Sequence, residues 1–274
     1  MRIADRLREL GFTREESRRT PPRHAALRDD AAALALRLFR DHGALTPEEI
    51  ATLDFPAEVL HYRCDIIEHL YLFSDWRGTG PDEVLPPGET TAILYRAACA
   101  TGRVLDLGCG SGTLALLLAP QAEQVIGTDI NPRAIALSRL NAEVNGIGNV
   151  EFREGSLFDP VEGEQFDLIV SQPPYIPKPA NVEHHLFLHG GARGDELARE
   201  IIAKVKAYLR PRGQALIYSD WPLKEGETVQ DRIPVEGQFE ISGPITLEAY
   251  ERIYESPAAE GVTQIRQCVA RFTV

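Results

Sequence analysis

The feature that most constrains this chain is the run Val104-Leu105-Asp106-Leu107-Gly108-Cys109-Gly110-Ser111-Gly112, followed by the helix-forming stretch 113–118. Aliphatic residues at its start suit a buried strand, the glycines suit a tight turn, and Leu/Ala-rich sequence resumes at once. A strand, a glycine turn and a helix in immediate succession open a parallel sheet with helices on both faces. Glycines in such a turn let the backbone approach a bound nucleotide closely, because a Cβ there would collide with it. A tight turn of purely structural use is the competing reading.

From Gly88 onward the chain repeats this alternation. Runs at 104–107, 124–128, 150–153, 166–171 and 215–218 read as strands, with helices at 113–118, 133–144 and 196–209. The expected fold class is α/β, a mostly parallel Rossmann-like sheet. Strands near 239–241 and 264–272, around a helix at 247–254, add a late antiparallel hairpin. Residues 1–82 read as a helical N-terminal domain and 83–274 as the sheet-containing domain. Thr13 and Glu16 have capping-box spacing, 25–39 is apolar at helical intervals, and Thr46-Pro47-Glu48-Glu49 reads as a helix start. Segment 59–73 fits a helix that gives way to a strand at 69–73. Two glycines and three prolines at 78–87 mark a linker.

Composition narrows the partners. A net charge of −12 is the opposite of what a protein gripping a nucleic-acid backbone carries, although ten Arg face seven acids up to Asp41. That arginine-rich start reads first as a solvated helix face. No apolar run approaches a membrane span, and the charged start does not resemble a signal peptide, so the expected location is cytoplasmic. The four cysteines form no CxxC pair, so no disulfide framework or metal site is expected.

Three further strand ends carry chemistry. Asp129 closes the second strand, about 20 residues after the glycine loop, where a carboxylate accepts bonds from ribose hydroxyls. Its competing role as a helix cap falls better to Asn131, just before Pro132. The third strand ends at Ser156-Leu157, where an adenine rim would rest. The fourth ends in Gln172-Pro173-Pro174-Tyr175. Two prolines stop the strand and remove two N–H donors, leaving carbonyl acceptors. A polar side chain followed by such a carbonyl can hold both hydrogens of an –NH2 group and aim its lone pair. Tyr175 could wall this site and face a cation with its ring. His184 and His185, in a histidine-rich stretch after this motif, are candidate general bases; a surface loop is the plainer reading.

Relative to a dinucleotide fingerprint, the third glycine comes one residue early, and an acid, Asp106, precedes the loop. Both features resemble S-adenosylmethionine-dependent methyltransferases more than nicotinamide oxidoreductases. The order DLGCGSG, TDINPRA, GSLFDP and FDLIVSQPPY is similar to that of the HemK (PrmC) glutamine N5-methyltransferases and the wider small-domain methyltransferases. Val84 to Thr91 and His189 to Asp195 resemble flanking segments of that family. The resemblance implies a substrate-selecting helical N-terminal domain and a catalytic domain that binds S-adenosylmethionine. It assigns Asp106, Gly108, Cys109, Gly110, Asp129, Ile130, Ser156, Leu157 and Gln172 to the cofactor, and Gln172, Pro173 and Tyr175 to catalysis. The chain departs from the family's Asn-Pro-Pro-Tyr at Gln172, whose acceptor sits on an arm one carbon longer. The expected acceptor is a glutamine-like amide of a protein. The alternatives are a small molecule methylated at N or O with a His base, a nucleobase amine, which the charge disfavours, or a module that binds without turnover.

Overall fold

A computed structural model of the chain describes residues 3–10, 12, 31–178, 185–233, 235–254 and 258–274. In chain order the elements are α1 (Ile3–Glu9), α2 (Ala31–Phe39), α3 (Pro47–Leu53), β1 (Arg63–Ile67), β2 (Leu70–Ser74), α4 (Glu89–Ala97), β3 (Arg103–Leu107), α5 (Thr113–Leu118), β4 (Gln124–Asp129), α6 (Pro132–Asn145), β5 (Val150–Glu154) and β6 (Phe166–Ser171). There follow β7 (Ile176–Pro177), β8 (His189–Gly191), α7 (Glu196–Val205), β9 (Leu209–Lys224), α8 (Val229–Arg232), β10 (Gln238–Ile245), α9 (Leu247–Tyr254) and β11 (Val262–Thr273).

Seven strands form the central sheet in the order β10-β11-β9-β6-β3-β4-β5. The β3, β4, β5, β6 and β9 strands pair in parallel, and β11 runs antiparallel to both its neighbours, β9 and β10. The expected late hairpin, interrupted by α9, is therefore present. Central strands are covered on both faces, which is why β3 and β6 are almost wholly buried and mostly apolar. One apolar cluster, with Val104, Leu116 and Val170, lies on one face; a second, with Leu105, Ile169 and Ile202, lies on the other.

The N-terminal portion is helical with one addition. The helix start expected at Thr46 forms, and Thr46 and Glu49 close a capping box there, with Pro47 in the first turn of α3. Thr13 and Glu16 lie outside the described residues, and of the 25–39 helix the described part is α2. The described arginines pair with acids, Arg6 with Glu9, Arg8 with Asp5 and Arg37 with Glu49. Segment 59–73 is not a helix followed by a strand. After a 3-10 turn at Ala57–Val59 it forms the antiparallel hairpin β1–β2, turning at Glu68 with φ 52°. The reason is tertiary: every residue of β2 is buried, and its second edge is met by α6. Asn141 accepts the Phe73 N–H at 2.8 Å and donates to the Phe73 carbonyl at 2.9 Å. One helical turn on, Asn145 does the same for Tyr71 at 2.9 and 2.8 Å. Around this junction Leu7, Phe12, Phe39, Leu53 and Phe73 share a core with Ala134, Leu137 and Val144 of α6. No helix among the described residues is long and apolar enough to cross a membrane.

Asn141 also donates to the Ser111 carbonyl and is fully buried. Asn141→Ala leaves the Phe73 backbone groups without partners, so unfolding in urea should show a loss of about 2–4 kcal/mol. An exposed-site control such as Glu143→Ala should stay within about 0.5 kcal/mol.

Candidate functional site

The carboxyl ends of β3, β4 and β6 set the geometry. Leu107 is in register with Thr128 on one side and Ser171 on the other. Gly108, Asp129 and Gln172 are therefore the first residues beyond a single row across the sheet. With strands about 4.8 Å apart, the backbones of Asp129 and Gln172 stand roughly 10 Å from each other, with the glycine loop between. Beyond β4, Asp129 is in register with Glu154, which brings Ser156 and Leu157 to the same end. The Gly155 N–H donates to the Asp129 carbonyl at 2.9 Å.

The loop is folded onto β4. Gly108 and Cys109 both donate their N–H groups to the Thr128 carbonyl, at 2.8 and 2.9 Å. Gly110 N–H donates to Asp129 Oδ2, and Asn131 N–H to Oδ1, each at 2.9 Å. A Cβ at Gly108 or Gly110 would meet nothing within 4 Å, whereas one at Gly112 would collide with Ser138 and Phe152. The first two glycines thus border open space, and the third serves helix–sheet packing. Ile130, beside Asp129, is 54% exposed and presents an apolar surface to the same end. Buried Asp106 accepts the Ala115 N–H at 2.9 Å, satisfying an orphan donor of α5 that Gly112 has no side chain to cap.

The electrostatics are acidic. Burial pushes the Asp106 carboxyl up to about 7; the Ala115 N–H opposes this, and the Asp129 charge adds to it. Burial raises Asp129 as well, against the lowering effect of the Asn131, Gly110 and Ile130 N–H groups. The Cys109 thiol is held well above its usual range by burial and by both carboxylates. Two acids short of counter-charge favour a cation between them.

On the other bank, Ser171 Oγ donates to the Leu107 carbonyl at 2.7 Å and pins β6 to β3. Gln172 is half-buried, Pro173 buried, and Tyr175 half-buried, its ring edge-on to Tyr218 at 6.0 Å. The Tyr218 O–H donates to buried Asp220 at 3.4 Å. Sequence reasoning missed this pair; its trace is the polar Ser219-Asp220 inside the buried stretch 215–223 of β9. The segment after Tyr175 is supported from behind. The β7 and β8 strands pair in parallel, Ile176 N–H donating to the Leu188 carbonyl at 2.9 Å. A Cβ at Gly190 would strike the Pro174 carbonyl, and one at Gly194 the Tyr175 carbonyl. Asp195, fully buried, is held by Arg232 of α8 through two bonds of 2.8 Å. His184 lies outside the described residues. His185 is half-buried, and its backbone N–H donates to His189 Nδ1 at 3.0 Å.

Sheet order, glycine loop and flanking carboxylates together define a Rossmann-like class I methyltransferase fold. The crystal structure of Trm5b from Pyrococcus abyssi shares it, with a TM-score of 0.50 at 19% identity over 78% of this chain and 56% of that one. The chain belongs to the methyltransferase small domain family, whose model matches residues 89–233. It is similar to the release factor glutamine methyltransferase of Xylella fastidiosa, 34% identical over 189 residues, 62% of this chain and 66% of that protein. To the protein of that name from Geobacter sulfurreducens it is 37% identical over 163 residues, 54% of this chain and 56% of the other. The chain thus spans just under two thirds of the first relative's length and little over half of the second's.

Asp106 yields a pH prediction. Its folded pKa of about 7 lies above the usual 3.8, so its contribution to stability is intact below about pH 4 and is lost as pH rises through 7. Asp106→Asn keeps an oxygen for Ala115 and removes the charge. Its melting temperature should exceed the parent's most above pH 7, with the gap closing toward pH 4; a pH-independent gap would contradict the burial.

Proposed function

We propose that this chain transfers a methyl group from S-adenosylmethionine to the side-chain amide nitrogen of a glutamine in a protein. The observation that carries the reading is the acidic pair Asp106 and Asp129 beside the open backbone of Gly108 and Gly110, one row across the sheet from the Gln172-Pro173-Pro174-Tyr175 ledge. The names of the two relatives support a glutamine acceptor. A net charge of −12 argues against a nucleic-acid acceptor.

The residues present fit the donor. Asp106 takes its ammonium group, directly or through water, and Asp129 accepts from the ribose hydroxyls. Cys109 and Gly110 supply close backbone. Ile130, Ser156 and Leu157 border the adenine. When bound, S-adenosylmethionine supplies an electrophilic methyl carbon on a sulfonium, with S-adenosylhomocysteine as the product. The acidic pair offsets the donor's positive charge. Gln172 Oε1 and the Pro173 carbonyl accept the two hydrogens of the acceptor –NH2, a gain mainly in positioning. Their bonds turn the nitrogen so that its lone pair, otherwise delocalised into the amide, faces the methyl group. Tyr175 walls the site. Residues 1–82, whose described core residues pack against α6, are assigned to substrate selection in a cytoplasmic enzyme.

Calorimetry should show S-adenosylhomocysteine binding without added metal, weakened tenfold or more by Asp129→Ala, on the order of one charge-assisted bond lost. Gln172→Asn should change turnover by about tenfold or more while affinity for S-adenosylhomocysteine stays within about threefold; equal losses in both would remove Gln172 from the acceptor role. Labelled methyl transfer into a lysate should appear in the protein fraction. Label in small molecules, together with a pH–rate profile altered by His185→Ala, would favour the histidine-assisted alternative instead.

A further inference from the structure

The segment from Asp75 to Val84 is a closed loop whose ends bond each other. Asp75 N–H donates to the Val84 carbonyl at 3.0 Å, and Val84 N–H to Asp75 Oδ2 at 2.8 Å. Within it, the carboxylate of buried Glu83 accepts the Gly78 and Thr79 N–H groups at 2.8 and 3.2 Å, and Thr79 Oγ1 donates to the Trp76 carbonyl. These bonds make the loop one stiff body. Arg133, in the first turn of α6, holds buried Asp75 at 2.8 Å and fixes the loop's base.

Two adjacent carbonyls of this body reach opposite banks of the site. The Asp82 carbonyl accepts from Asn131 Nδ2 at 2.7 Å, and the Pro81 carbonyl accepts from the Leu186 N–H at 3.1 Å. Asn131 in turn gives its own N–H to Asp129 Oδ1. Leu186 belongs to the turn whose Leu188 carbonyl takes the Ile176 N–H, directly after Tyr175. The bonds run from the carboxylate assigned to the ribose, through Asn131 and the loop, to the strand that follows the acceptor ledge. Asn131 caps α6 with a different atom: its Oδ1 accepts the Arg133 N–H at 3.0 Å. The cap and the link are therefore separable.

We propose that Asn131 is a positioning residue that, through the Asp82 and Pro81 carbonyls, couples an adenosyl ligand at Asp129 to the placement of the acceptor ledge. The proposal rests on the function inferred above. It makes binding cooperative, the adenosyl ligand and the acceptor each raising the affinity for the other by the same factor.

The test uses Asn131→Ser, which keeps a capping oxygen and loses the Nδ2 donor, with S-adenosylhomocysteine as the probe. In the parent, the ligand should slow hydrogen exchange at the Leu186 amide by about tenfold, the scale of one hydrogen bond. In the variant, ligand affinity should stay within about threefold and the slowing should vanish. Its kcat/KM for a glutamine-containing protein acceptor should fall by about tenfold. If Asn131→Ser does not fold, Asn131→Thr, which also keeps a capping oxygen and lacks the Nδ2 donor, carries the same comparison. Ligand binding to the parent without slowing at Leu186, or slowing that persists in the variant, would overturn the coupling and leave the proposed activity standing. Slowing at Leu186 without methylation of any protein acceptor would refute the acceptor and leave the coupling standing. A parent that does not bind the ligand would refute both.

Discussion

The site is organised by one carbonyl. Thr128 closes a row of the sheet, and its oxygen accepts two successive N–H groups from the glycine loop of the neighbouring strand. That pair of hydrogen bonds folds the loop over the end of β4 rather than away from it. Everything nearby follows from this direction. The next N–H, from Gly110, meets the Asp129 carboxylate. The chain then turns into α5, whose first turn reaches Asp106 from below. Two acids are thereby brought to one end of the sheet, where burial works against both charges. A fold that only needed a turn would gain nothing from this placement; a fold that receives a cation does.

The opposite bank is rigid for a different reason. Ser171 fixes the front of the ledge to β3, and the glycines at 190 and 194 press against it from behind at distances that admit no side chain. The backbone between cannot retreat to absorb the extra methylene of Gln172. The added length falls on the side-chain torsions, so the amide group, not the loop, must find a new position relative to the acceptor proposed above. Asp195 and Arg232 extend this support into α8 and tie the ledge to a distant helix through a buried ion pair.

Much of this was legible in the residues. The strand–loop–helix at Val104, the acid at 129 and the proline-stopped strand at 172 are local patterns, and local patterns survive translation into structure. The β6 strand falls where its apolar run ends, and α6 begins at the Asn131–Pro132 start signal. What escaped was set by distant partners. Segment 59–73 carries too few residues for either periodicity to dominate, and its hairpin is decided by Asn141 and Asn145, about 70 positions away. The β9 strand extends to Leu209–Lys224, well beyond the apolar core at 215–218, because β11 pairs with it from Gln214 to Lys224 and β6 pairs with Leu209. Helix α7 stops at Val205 because the chain tightens into a 3-10 turn before entering β9. Tyr218 and Asp220 left only a faint trace for a similar reason: it takes the packed sheet to set Tyr218 against Tyr175 and Asp220 behind Tyr218.

The two asparagines of α6 have a consequence outside catalysis. A strand with an open flank is a template on which another chain can grow, and a short apolar strand such as Leu70–Ser74 would be an inviting one. Two carboxamides spaced one helical turn apart occupy that flank in the manner of a neighbouring strand, without being one. The helix thereby closes that flank, and the residues that anchor the N-terminal region also deny β2 a second strand partner.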